Sequence, residues 1–101
     1  MVYNKLVRDR IPEMIRAQGE KPCFRILKKE EYLRALEAKL DEETAEYHRD
    51  KTVEELADIL EVVFALGESA GCSREALMAV CEQKREARGG FRDRVFLISK
   101  E

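Results

Sequence analysis

Between Lys29 and Ala70 the apolar residues recur at helical spacing, and the rhythm breaks once, at Lys51 and Thr52. Before the break, Tyr32, Leu33, Leu36, Leu40 and Tyr47 form one stripe and predict a helix from about Lys29 to Arg49. After it, Leu56, Ile59, Leu60, Val63, Phe64 and Leu66 predict a second helix over roughly Val53 to Ala70, stopped by Gly71. Thr52 is a good N-cap for that second helix. Helices joined by so short a connection lie side by side and antiparallel. The second helix is apolar around most of its circumference, with Glu54, Glu61 and Glu68 as a narrow polar ridge. Such a helix is buried on several sides. A chain of 101 residues supplies little for that burial, which implies self-association as a homodimer or higher oligomer.

The flanks complete an all-α helical bundle, with residues 1–101 as a single domain. Residues 1 to 11 read as an extended arm; Pro12 suits the first turn of a short helix, which Gly19 stops. Ser73 caps a last helix that runs to about Arg88 and ends at Gly89-Gly90. Two short apolar runs remain, and residues 23–27 and 94–98 are candidates for a two-stranded β ribbon.

Hydrophobic residues make up 45% of the chain, too many for a disordered one. The net charge of −2 gives no reason to expect a nucleic-acid polymer or a membrane surface as partner. Apolar runs such as Val62 to Leu66 fall far short of a membrane span. Cys23, Cys72 and Cys81 form no CxxC or CxxH pair, so zinc and a disulfide framework are not expected. Reduced, packed thiols and the lack of a signal peptide fit a cytoplasmic protein. Local charge says more than the total. From Glu37 to Glu61 ten acids face only Lys39, Arg49 and Lys51, whereas from Lys84 onward six bases face three acids. The first ten residues carry Lys5, Arg8 and Arg10 against Asp9 alone.

Within the acidic span, Glu43 with Glu46 and Glu55 with Asp58 are i, i+3 pairs, each on one helix face. Glu43 falls inside the apolar stripe of its helix, and Glu55 projects between Val62 and Leu66. Acids rarely occupy such positions without a partner. Two like charges about 4 Å apart repel by about 4 kcal/mol at an effective dielectric of 20. Four carboxylates brought together must spread, protonate or bind a hard cation, and Mg2+ is the usual one. Thr52-x-x-Glu55 also matches a capping box, which would give Glu55 a purely structural task. Lys5, Arg8, Lys84 and Arg88 are candidate phosphate contacts, with Gly89-Gly90 able to bring backbone N–H groups close. His48, the lone histidine, falls on the polar side of its helix, away from Glu43. There is no P-loop and no nucleophilic triad.

Glu42-Glu43-x-x-Glu46 followed by Glu55-x-x-Asp58 resembles the EExxE…ExxD signature of the MazG-like, all-α nucleoside triphosphate pyrophosphohydrolases. The opening Tyr3-Asn4-Lys5-Leu6-Val7-Arg8-Asp9 and the closing Lys84-x-x-x-Arg88-Gly89-Gly90-Phe91 are similar to a small single-domain branch of that family. The resemblance implies a Mg2+-dependent hydrolase that cleaves an NTP or dNTP to monophosphate and pyrophosphate, in a house-cleaning role on modified or surplus nucleotides. It implies Glu43, Glu46, Glu55 and Asp58 as metal ligands. It also implies Lys5, Arg8, Lys84 and Arg88 as phosphate-binding residues. Glu42 or Glu46 would orient or deprotonate the attacking water. Two rivals stand beside this expectation: a phosphoribosyl-ATP pyrophosphohydrolase on a related scaffold, and a non-catalytic helical oligomerisation or regulatory module.

Overall fold

The computed structural model describes residues 1–101 as four helices without a strand. They are α1 (Ile11–Ala17), α2 (Lys29–Asp50), α3 (Val53–Ser69) and α4 (Arg74–Arg88). The all-α expectation holds, with boundaries within a residue or two of those read from periodicity. The β ribbon does not form. Residues 23–27 and 94–98 have no ladder partner, and Val95, Phe96, Leu97 and Ile98 are open to solvent. An isolated pair of strands buries too little to hold itself together, and α4 ends too freely to press the two runs together.

The centre of the fold is the α2–α3 hairpin. Its turn consists of Lys51 and Thr52 alone. Lys51 takes the left-handed conformation (φ 53°, ψ 39°), and its N–H donates to Tyr47 O at 2.7 Å, closing α2. Thr52 opens α3 by accepting a hydrogen bond from the Glu55 N–H at 3.3 Å. Only half of the capping box is made, because the Glu55 carboxylate does not return to the Thr52 backbone. A lysine pays steric strain in the left-handed region that glycine does not. Lys51→Gly is therefore expected to stabilise the chain by up to about 1 kcal/mol, read as a higher urea midpoint with unchanged slope.

Leu36 from α2 and Val62 and Phe64 from α3 are the buried apolar residues. Arg74 lies over the Phe64 ring at 4.3 Å to the centroid and closes one end. Ser73 caps α4 as expected, accepting from the Ala76 N–H at 3.1 Å. A side chain at Gly67 would meet Leu77 Cδ2 at 3.3 Å and Cys72 O at 3.4 Å, so the bare backbone there lets α4 turn in against α3. Beyond that turn α4 diverges: it touches α3 but not α2, and α1 packs on no other helix. The chain is long, 61 × 31 × 23 Å, and only four of its residues are buried. The thiols are free, as expected, but they are not packed: Cys23 and Cys81 are exposed. No helix is long and apolar enough to cross a membrane.

Candidate metal centre

Glu43 stands seven residues after Leu36 on α2, and Glu55 stands seven before Val62 on α3. Two helical turns leave a side chain on nearly the same face. The core seam of the hairpin therefore continues toward the turn, with carboxylates where leucine or valine would otherwise stand. Glu43 is the one buried charged residue, with 6% of its surface exposed.

Two triads converge at this end of the hairpin. Oxygens of Glu42, Glu43 and Glu46 lie within 4.8 Å of one another, as do oxygens of Glu43, Glu55 and Asp58. Glu43 belongs to both. Glu43 Oε2 and Glu55 Oε2 are buried and have no hydrogen-bond partner. A buried carboxylate oxygen left unpaired is costly. Burial, then Glu46, and further Asp58 push the Glu43 carboxyl above its ordinary value of 4.5, against the pull of Lys39. Glu55 is also raised, first by desolvation and then by the charges of Glu46, Asp50 and Asp58. The donor set is all oxygen, carboxylate-rich and crowded, which suits a hard divalent cation of the Mg2+ type.

The basic residues divide into two groups. The N-terminal arm reaches the acids: Lys5 Nζ is 3.3 Å from Glu42, and Arg8 Nη2 donates to Asp58 at 2.7 Å. Both pairs are substantially open to water, so each is worth at most about 1 kcal/mol and is easily exchanged. Lys84 and Arg88 are exposed on α4, form no ion pair, and belong to a helix that does not touch α2. One chain does not bring them to the acids. The Gly89 N–H is committed to Arg85 O at 2.7 Å, so it is not a free donor for phosphate. His48 is exposed, as expected.

Sequence reasoning counted Lys39 among the bases opposing the acidic span but gave it no place at the carboxylates. Its Nζ lies 3.3 Å from Glu42 and 3.5 Å from Glu43, as an internal counter-ion. The signal was present, since Lys39 and Glu43 are i, i+4 on one helix. Burial pushes the Glu42 carboxyl up, but the bond from Lys5 and the charge of Lys39 outweigh it and leave Glu42 below 4.5. Lys39→Met is expected to destabilise the metal-free chain by about 1–3 kcal/mol, because Glu43 loses its only cation. The same variant should bind Mg2+ several-fold more tightly, since the metal no longer competes with an ammonium group. Calorimetric titration checks both halves.

No family model matches the chain, and no solved structure matches it. An uncharacterised protein of Mycolicibacterium smegmatis is similar, 64% identical over 42 residues. The match covers 42% of this chain and 43% of that protein, so the chain spans less than half of its relative.

Proposed function

We propose that this chain hydrolyses a nucleoside triphosphate to a monophosphate and pyrophosphate, with Mg2+ held by Glu43, Glu46, Glu55 and Asp58. The observation that carries the reading is Glu43 Oε2, buried, unpartnered and common to both carboxylate triads. A divalent cation bound there would withdraw charge from phosphate oxygens and make a neighbouring water more acidic.

The chain's own residues supply the rest. Arg8 offers a planar fork and Lys5 a point charge, the two forms of cation that suit a polyphosphate. In the metal-free chain both rest on carboxylates through exposed pairs, and phosphate oxygens can take over those same donors. Glu46 forms no ion pair and lies among the triad oxygens, so it is the better group to orient a water and receive its proton. Glu42, held by two lysines and depressed in pKa, is the weaker base.

The test is a panel of NTPs, dNTPs and phosphoribosyl-ATP with Mg2+ and pyrophosphate detection. Release from a nucleoside triphosphate is expected. Turnover of phosphoribosyl-ATP alone would move the activity to that substrate. No release from any compound would leave a non-catalytic helical module.

A further inference from the structure

Two carboxylate triads that share one glutamate are a layout suited to two divalent ions, which sit about 3.5–4 Å apart in such centres. The cations of this chain do not treat the two triads alike. In the triad carried by α2 alone, Glu42, Glu43 and Glu46, ammonium groups already hold both oxygens of Glu42 and one of Glu43. Lys5 Nζ is 3.3 Å from Glu42 Oε1, and Lys39 Nζ is 3.3 Å from Glu42 Oε2 and 3.5 Å from Glu43 Oε1. The other triad adds Glu55 and Asp58 from α3, and the one ion pair these two make is Arg8 on Asp58. The buried oxygens without a partner, Glu43 Oε2 and Glu55 Oε2, both belong to acids of this second triad.

Lys39 differs from the other two cations. Its side chain is 17% exposed, against 45% for Lys5 and 56% for Arg8, so water and salt weaken its pairs less. It stands on the helix that carries its partners, at i, i+3 and i, i+4, and returns to them without the cost of an association. Lys5 and Arg8 ride on an arm outside any helix. Charge agrees with this division. Glu42, Glu43, Glu46, Glu55 and Asp58 gather against Lys5, Arg8 and Lys39. With all of them ionised, two negative charges are left over, the complement of one divalent ion. A second ion would leave uncompensated positive charge around a glutamate that water barely reaches.

We propose that the Lys39 ammonium is a resident cation in place of a second divalent ion. It fills the α2 triad and confines Mg2+ to the side of the cluster where Glu55 and Asp58 enter. This rests on the metal centre of the hydrolase reading, but it is measured without nucleotide and without turnover.

Calorimetric titration of the full chain with MgCl2 alone is expected to give one ion per chain. Lys39→Met is expected to take two, the tighter first ion being joined by another. Lys39→Arg keeps a cation at the position and should return the count to one. A merely structural lysine would alter stability and leave every count at one. Two ions on the wild type, one on Lys39→Met, or two on Lys39→Arg overturn the inference. Mn2+ gives an independent reading, because neighbouring Mn2+ ions couple magnetically. At saturation, paramagnetic resonance of Lys39→Met should show a coupled pair and that of the wild type isolated ions; isolated ions in both overturn it.

Should Lys39→Met not fold, two variants that keep the lysine locate the ion. Glu55→Gln is expected to weaken Mg2+ at least about 10-fold, a loss already common for groups one layer beyond a metal's ligands. Glu42→Gln, whose oxygens the lysines hold, should cost no more than about threefold. Equal losses, or a larger one at Glu42, overturn the division between the triads. One bound ion without turnover of any nucleotide overturns the hydrolase reading and keeps the place of Lys39. Two bound ions with turnover do the reverse, and no bound ion overturns both.

Discussion

Adding Mg2+ to the metal-free chain is expected to raise its melting temperature by on the order of 10 °C. A ligand that binds only the folded state at a hundredfold excess over its dissociation constant contributes about 2.7 kcal/mol. For a domain of this size, 1 kcal/mol moves the midpoint by about 4–8 °C. The effect should depend on pH in a direction the carboxylates dictate. Glu43 and Glu55 have folded-state pKa values above 4.5, so the folded chain holds more protons than the unfolded one in that range. Their contribution is fully present below 4.5 and is lost as pH rises through the raised values. In EDTA the melting temperature should therefore fall as pH climbs from 4.5 toward neutrality. Glu42 is shifted the other way, and what it contributes is lost at lower pH, as the solution passes down through its depressed value. With Mg2+ present the decline above 4.5 should vanish, since the cation replaces the protons. A melting series at several pH values with and without Mg2+ checks this. Superimposable curves would remove the metal centre.

Glu43→Gln is expected to abolish Mg2+-dependent turnover and most of the Mg2+ shift, while the metal-free chain becomes more stable. Like charges within 4.8 Å of one another repel by at least about 3.5 kcal/mol at an effective dielectric of 20. The gain is partly offset because Lys39, 3.5 Å away, loses a partner. The net expectation is on the order of 1 kcal/mol of added stability, a rise of a few degrees in EDTA. Opposite signs for stability and turnover separate a functional carboxylate from a structural one. A glutamate retained for packing or for its lysine would lose stability as glutamine, and a variant with full turnover would take Glu43 out of the site.

Much of the hairpin could be read directly from the chain. Leu36, Leu40 and Tyr47 give α2 its stripe, Thr52 marks the start of α3, and Glu43 interrupts an apolar face where water is excluded. These features are local, set by helical period and by capping. What escaped the sequence depends on distance through space. Periodicity places Lys84 and Arg88 on one face of α4 but does not say where α4 points, and the turn at Gly67 and Cys72 sends it away from the acids. The runs 23–27 and 94–98 have strand composition, but composition without a neighbouring edge makes no sheet. Lys39 was legible by spacing, and its weight became plain only when Glu43 proved to be buried beside it.

The Lys51–Thr52 connection fixes more than the direction of the chain. With a left-handed residue followed at once by a helix cap, α3 has no slack with which to turn about its own axis. One residue inserted within the first turn of α3 would rotate everything downstream by about 100° and carry Asp58 out of register with Glu43. The connection thus behaves as a ruler. A change in the length of this connection would alter the gap between the opposing carboxylate oxygens of α2 and α3 directly.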